Sequence, residues 1–161
     1  MKKLSLALVI LVTLVCFSAH AGEWEDGYSA YERQDYVTAV QKWRIVALRG
    51  EARGQSIMGA MYAQGQGVPQ DYVTAIKWYR LAAEQGEPRA LHKLGYMYIY
   101  ARGVERDLVR AYMWSDLAAA AGNAEAAKQR DEVEKLLNLD QFAQAKKLAM
   151  ECQQRKFVNC K

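Results

Sequence analysis

Acyl transfer by a serine needs the hydroxyl within hydrogen-bond reach of a base, and this chain offers few of either. Beyond residue 21 its serines are Ser29, Ser56 and Ser115, and none begins a Ser-x2-Lys arrangement. Thr74-Ala-Ile-Lys77 comes nearest. On a helix it would set a hydroxyl and an amine one turn apart, but Thr74 falls in a first turn, where capping is the ordinary role of threonine. His92 is the one histidine in the same stretch, so a triad or a His-built metal site would rest on it alone; it reads as a surface residue. The acids are scattered without metal-loop spacing. No phosphate loop or dinucleotide fingerprint is present. The residues predict no catalytic centre, no cofactor and no metal.

The cysteines depend on where the chain goes. Lys2 and Lys3 precede an apolar run of 14 residues, Leu4 to Phe17, and then Ser18-Ala19-His20-Ala21. That order predicts a signal peptide cut after Ala21. An uncleaved anchor is the alternative, but the run is short of the ~20 residues a spanning helix needs. Val15 is too bulky to precede a lipidated Cys16. Export would leave residues 22–161, 140 residues in the periplasm or secreted, enough for one domain. Loss of Lys2 and Lys3 takes the formal charge from +4 to +2, which leaves no electrostatic case for nucleic acid.

Cys152 and Cys160 then remain, and an even count in an exported chain reads as an internal disulfide. Two free thiols, or a bridge to another chain, are the alternatives. Continuous helix would hold their Cα atoms ~12 Å apart, beyond the ~7 Å limit for a bridge. Pairing therefore requires the helix to end between them and the chain to turn back. It would contribute roughly 2–3 kcal/mol by loop closure.

Tyr96 and Tyr100 are four apart and share a helical face, with His92 one turn earlier. They either pack on a neighbouring unit or line a groove in which tyrosine is a favoured contact. The corresponding residues one unit earlier are Ser56, Ala60 and Gln64, small and polar. A groove would be stickiest around the later unit.

A period of 36 residues organises these positions. Asp35, Asp71 and Asp107 obey it, as do Ala39, Ala75 and Ala111, then Ala47, Ala83 and Ala119, then Gly50, Gly86 and Gly122. Such a period means stacked supersecondary units, none able to bury its apolar face alone. Each unit reads as two helices. Residues 54–62 give a first helix with Met58, Gly59, Met61 and Tyr62 at helical spacing. Gln64 to Gln70 is a Gly- and Pro-containing loop, Asp71 an N-cap, Tyr72 to Gln85 the second helix, and Gly86 its C-cap. The next unit repeats this over residues 90–98 and 108–121, with Gly95, Tyr98, Gly103, Val104, Asp107, Ala111, Trp114 and Gly122 in register. Glycine at one mid-helix position in both units, despite a cost of ~1 kcal/mol, implies close approach of two helices. Trp78 and Trp114 read as core, and Trp24 and Trp43 as core of an N-terminal cap.

Flanking segments follow the pattern loosely. Trp24 to Arg33 and Tyr36 to Arg49 form a first pair, joined tightly because it lacks the Gly-x-Gly-Val loop. Ala124 to Leu137 gives a further first helix with Ala126, Ala127, Val133 and Leu136 on one side; Asn138-Leu139-Asp140 breaks it, and Gln141 to about Cys152 forms the last. The fold class is all-α: a right-handed α/α superhelix of about four antiparallel helix pairs, eight helices and no strands.

Ala-x3-Leu-Gly-x2-Tyr, Gly-x-Gly-Val, Asp, Ala-x2-Trp-Tyr and Ala-Ala-x-Gln-Gly together resemble the Sel1-like repeat, a relative of the tetratricopeptide repeat. Gly59, Tyr62, Gly65, Gly67, Val68, Asp71, Ala75, Trp78, Tyr79, Ala82, Ala83, Gln85 and Gly86 carry the match in one unit. Ala90, Leu94, Gly95, Tyr98, Gly103, Val104, Asp107, Ala111, Trp114, Ala118, Ala119 and Gly122 carry it in the next. That unit departs at Ala101, where Gly is expected, and at Ser115, where Tyr is usual. The organisation this implies is a capping pair at 22–51, repeats at 52–87 and 88–123, and capping helices with a Cys-x7-Cys tail at 124–161.

The family resemblance implies a scaffold or adaptor, often in the bacterial envelope, binding a protein or peptide as a monomer, with no membrane span after signal cleavage. Some cysteine-rich exported relatives are linked to β-lactamase or penicillin-binding activity. A peptidoglycan-associated structural role is a further alternative. The missing Ser-x2-Lys speaks against the hydrolase.

Overall fold

The computed structural model describes residues 22–160; the expected signal peptide lies outside the described residues. Among these there are eight helices and no strand: α1 (22–32), α2 (Tyr36–Leu48), α3 (Ala52–Gln64), α4 (Tyr72–Ala83), α5 (Pro88–Ile99), α6 (Leu108–Ala120), α7 (Ala124–Glu134) and α8 (Leu139–Gln154). From α2 to α7 each helix packs on the next; α5 also touches α3 and α7, and α8 packs on α6. This is the expected all-α solenoid, with odd-numbered helices in one layer and even-numbered helices in the other.

Local chemistry starts the helices where it should. Asp35 accepts from the Thr38 N–H, Asp71 from Val73 and Thr74, and Asp107 from Arg110. Each supplies an oxygen to donors that have no partner inside the helix. The Thr74 hydroxyl donates to Asp71 Oδ2 at 2.6 Å, so it serves the cap and not Lys77. Asn138 forms a capping box with Gln141, and α8 therefore begins at Leu139, two residues before the expected start.

Glycines set the spacing within each pair. A Cβ on Gly59 would meet the Tyr79 ring at 2.6 Å, and one on Gly95 would meet Gln129 Nε2 at 2.6 Å and Ser115 Oγ at 2.7 Å. The N-terminal pair has the same contact, since a Cβ on Gly27 would lie 2.5 Å from the Trp43 indole. Trp43, Tyr79 and Ser115 are themselves 36 residues apart. Gly27 precedes Gly59 by only 32, four short of the period, because the α1–α2 turn omits the four-residue Gly-x-Gly-Val segment.

Between pairs, the loops lock onto the preceding unit. Gly67 (φ +70°) lies against the Tyr36 carbonyl and Gly103 (φ +72°) against the Tyr72 backbone, with no room for a Cβ at either. Arg44 donates to the Tyr62 hydroxyl at 3.1 Å, and Arg80 to that of Tyr98 at 3.2 Å. Ala75 and Ala111 are wholly buried between helices, and Gly86 and Gly122 turn the chain with positive φ. Trp43 and Trp114 are core as expected, but Trp24 and Trp78 are only half-buried at the edge of the N-terminal cluster.

Leu136 also departs from expectation. α7 ends at Glu134, and the tightened turn that follows, with Leu136 N–H bonded to the Val133 carbonyl and Leu137 N–H to that of Glu134, turns Leu137 inward. Leu136 is left 59 % exposed.

After α8 the chain reverses through left-handed residues at Lys156, Phe157 and Asn159. Cys160 thereby returns to Cys152 with a Cα–Cα distance of 5.2 Å, and the two are joined as a disulfide. Phe157 is carried onto Gly86, where an added Cβ would meet the ring at 3.3 Å.

Two substitutions should act in opposite directions. Gly59→Ala drives a methyl into the Tyr79 ring and should cost about 1–3 kcal/mol, as overpacking does. Ala101 occupies a left-handed φ of +52° where the other unit has Gly65. Relief of that conformation is worth roughly 1–2 kcal/mol, and the unfolded-chain entropy of glycine returns about 0.4–1. Ala101→Gly should therefore stabilise by about 0.5 kcal/mol. Urea denaturation monitored by circular dichroism measures both.

Candidate protein-docking face

The odd-numbered helices α1, α3, α5 and α7 present one continuous face with three clefts. The first, about 190 Å³, lies between α1 and α3 and is lined by Tyr28, Tyr31, Ile57, Ala60 and Gln64. The second, about 280 Å³, involves α3 and α5, with Gln64, Tyr72, Lys93 and Tyr96 on its walls. The third, about 270 Å³, lies between α5 and α7 and holds His92, Tyr96, Tyr100, Glu125, Gln129 and Leu136. Gln64 is shared by the first and second clefts, and Tyr96 by the second and third, so the three form one row.

His92, Tyr96 and Tyr100 lie together in the third cleft. The rings of Tyr96 and Tyr100 are 4.4 Å apart between centroids and tilted by 44°. Tyr96 is 38 % and Tyr100 57 % exposed. Their packing partner is thus each other and the wall of the groove, with a large apolar area left to solvent.

His92 is more covered than a surface histidine. Its side chain is 13 % exposed, with Nδ1 3.9 Å from Glu125. The reason sits one helix away. Ser115 replaces the tyrosine that faces the glycine in the other unit, and the vacated space admits Gln129 of α7. Gln129 donates to Ser115 Oγ at 2.8 Å, and Ser115 donates to the Ala111 carbonyl at 2.7 Å. α7 then covers the imidazole. Ser115 is fully buried with its proton engaged, Ser56 is buried, and Ser29 accepts from Arg33 on the surface. Among the described residues no group of three or more His, Cys, Asp or Glu could hold a metal ion. No described helix is long and apolar enough to cross a membrane.

Tyr28 and Tyr31 are the groove residues that the sequence reading missed. With the four-residue shift in the first pair, Tyr28 is the counterpart of Ala60 and Tyr96, and Glu32 of Gln64, Tyr100 and Leu136. Exposed tyrosines therefore lie at both ends of the groove, and not only around the second full unit. The loop Gln64 to Gln70 is half-buried at its centre, where the Gln66 N–H bonds to the Met61 carbonyl and Gly67 packs on α2. Its exposed residues are Gln64, Gly65, Pro69 and Gln70.

Burial disfavours the imidazolium of His92 and lowers its pKa below the ordinary 6.5; the charge of Lys93 acts in the same direction, and the contact with Gln129 and the charge of Glu125 oppose it. The unfolded chain then takes the proton more readily than the folded one. Stability should fall as pH drops from about 7.5 to about 6, because the proton adds first to the unfolded state. The urea midpoint should follow that fall in the wild type, and His92→Gln should flatten it over the same interval.

The Sel1 repeat family matches residues 52–87 and 88–123. Two solved structures are similar over most of the chain. One is c5321, described as a protective antigen present in uropathogenic Escherichia coli strains and displaying an SLR fold, at 31 % identity and a TM-score of 0.79, with 86 % of this chain and 32 % of that one aligned. The other is a Sel1 repeat protein from Oxalobacter formigenes, at 29 % identity and a TM-score of 0.68, with 80 % of this chain and 58 % of that one aligned. The chain thus spans about a third of the length of the first and somewhat over half of the second. No curated protein matches it.

Proposed function

Because the chain is a Sel1-repeat protein, with its repeats at residues 52–87 and 88–123, we propose that it is an adaptor that captures a protein or peptide along the face of α1, α3, α5 and α7. Sel1 repeats mediate protein interactions, and the observation that carries the reading here is the adjoining, exposed pair Tyr96 and Tyr100 in the α5–α7 cleft. Tyrosine offers a large amphipathic surface at low cost in side-chain entropy, which is why it concentrates in hot spots. The solenoid presents the pair on a rigid helix, so little ordering is needed on binding. We take the site of action to be the periplasm or beyond. A leader-like segment before residue 22 supports this. So does the Cys152–Cys160 bridge, a bond that persists in oxidising compartments.

The test is crosslinking in living cells followed by recovery of the C-terminally tagged protein. Tyr96→Ala/Tyr100→Ala should fold normally, since both rings are exposed, and should lose a wild-type partner by about tenfold or more, the scale of a hot-spot pair. Equal recovery would move the site off this face. No specific partner for the wild type would remove the adaptor reading.

A further inference from the structure

The charges on the walls of the first two clefts are all of one sign. Arg53 and Arg89 flank the α1–α3 cleft, and Lys93 and Arg102 the α3–α5 cleft, with no carboxylate on either lining. No ion pair joins any of the four to an acid among the described residues. Three are held by aromatic rings instead: the Arg53 guanidinium lies 5.1 Å from the Trp24 ring centre, the Lys93 ammonium 6.0 Å from Tyr96, and the Arg102 guanidinium 5.1 Å from Tyr72. Stacking orients a cation without using up all its N–H donors. These side chains are positioned and still able to bind an anion.

Their placement is periodic. Arg53 and Arg89 occupy one column of the repeat, and the next member of that column is Glu125. Arg89 and Lys93 are four apart on α5 and share a face. In the α5–α7 cleft the sign mixes, with Glu125 and Glu132 beside Lys128. The groove therefore runs from basic to acidic, with tyrosines along its length: Tyr28 and Tyr31, then Tyr72 and Tyr96, then Tyr100.

We infer that, on the groove reading above, the partner enters as an extended acidic segment whose carboxylates alternate with apolar side chains. Adjacent packed helices are about 10 Å apart. An extended chain advances about 3.3 Å per residue. Carboxylates three residues apart would meet Arg53 and Arg89 in turn, and the residues between them would lie on the tyrosines. Four uncompensated cations in one channel favour such a segment over a neutral one and repel a basic one.

Fluorescein-labelled dodecapeptides test this by fluorescence polarisation with the full chain from residue 22. One carries Glu at every third position with Phe and Leu between; its matched partners carry Gln or Lys in place of Glu. The Glu peptide should bind about tenfold or more tighter than the Gln peptide and weaken as salt is raised, and the Lys peptide should not bind. Arg89→Glu/Lys93→Glu should abolish the Glu preference, whereas Lys77→Glu/Lys147→Glu, with the same net charge but on the even-numbered helices outside the groove, should keep it. Equal binding of the Glu and Gln peptides, no binding of any peptide, or equally tight binding of an oligothymidine would each overturn the acidic-segment proposal. Only the crosslinking result with Tyr96 and Tyr100 bears on the groove itself, so the two can fail separately.

Discussion

Everything in this fold depends on how closely the two helices of a unit approach. A glycine on the first helix is met by a side chain from the second: Gly27 by Trp43, Gly59 by Tyr79, Gly95 by Ser115. Where the opposing residue is a ring, the helix backbone itself becomes the surface on which the ring packs. No Cβ can enter without moving one helix. Each such glycine costs helix propensity, and the cost is offset by burial of the ring: Tyr79 is almost wholly buried and its phenol pKa is raised by that burial. The short spacing also explains the alanine columns, since Ala75 and Ala111 leave the second helix free to lie flat against its neighbours.

Spacing within a unit then dictates spacing between units. The loops after α3 and α5 cross to the start of the previous second helix, where Gly67 lies against the backbone of Tyr36 and Gly103 against the backbone and Cβ of Tyr72. The same hydrogen bonds recur one period apart, Asp71 N–H to the Tyr62 carbonyl and Asp107 N–H to that of Tyr98. A chain fixed at both ends of every loop has little freedom to vary its superhelical rise. The groove is a consequence of this regularity, because residues one period apart must fall into rows across the odd-numbered helices.

Much of this was legible in the residues. N-caps, C-terminal glycines and mid-helix glycines act through local backbone geometry, so their positions in the chain are enough to place them. The groove was legible only where the register was visible. Tyr96 and Tyr100 sit inside a full repeat and were found; Tyr28 and Tyr31 sit in a pair shortened by four residues, and the period no longer points to them. His92 was misread for a different reason. Its burial depends on Gln129, 37 residues later, filling a space that exists only because Ser115 is small. No local pattern encodes a contact of that kind. Leu136 follows the same logic, since in the groove register it corresponds to Tyr100 and not to a core position.

The third unit shows how such a stack ends. Arg44 and Arg80 each hold the tyrosine hydroxyl of the next first helix. The next residue in that column is Asp116, and it is engaged by Arg130 of α7 at 3.5 Å and Lys146 of α8 at 3.6 Å. At the position beside it, Ser115 takes Gln129 in place of a ring. Two adjacent substitutions on α6 thus replace the repeat's own contacts with contacts that only α7 and α8 supply. α8 lays Ala145, Ala149 and Cys152 into the core and sets Phe142 edge-on to Tyr112 at 5.3 Å. The charge reversal from Arg53 and Arg89 to Glu125 occurs over the same step. The surface that closes the solenoid is therefore also the surface that gives the groove its direction, and a bound segment would meet its N- and C-terminal halves as chemically different ends.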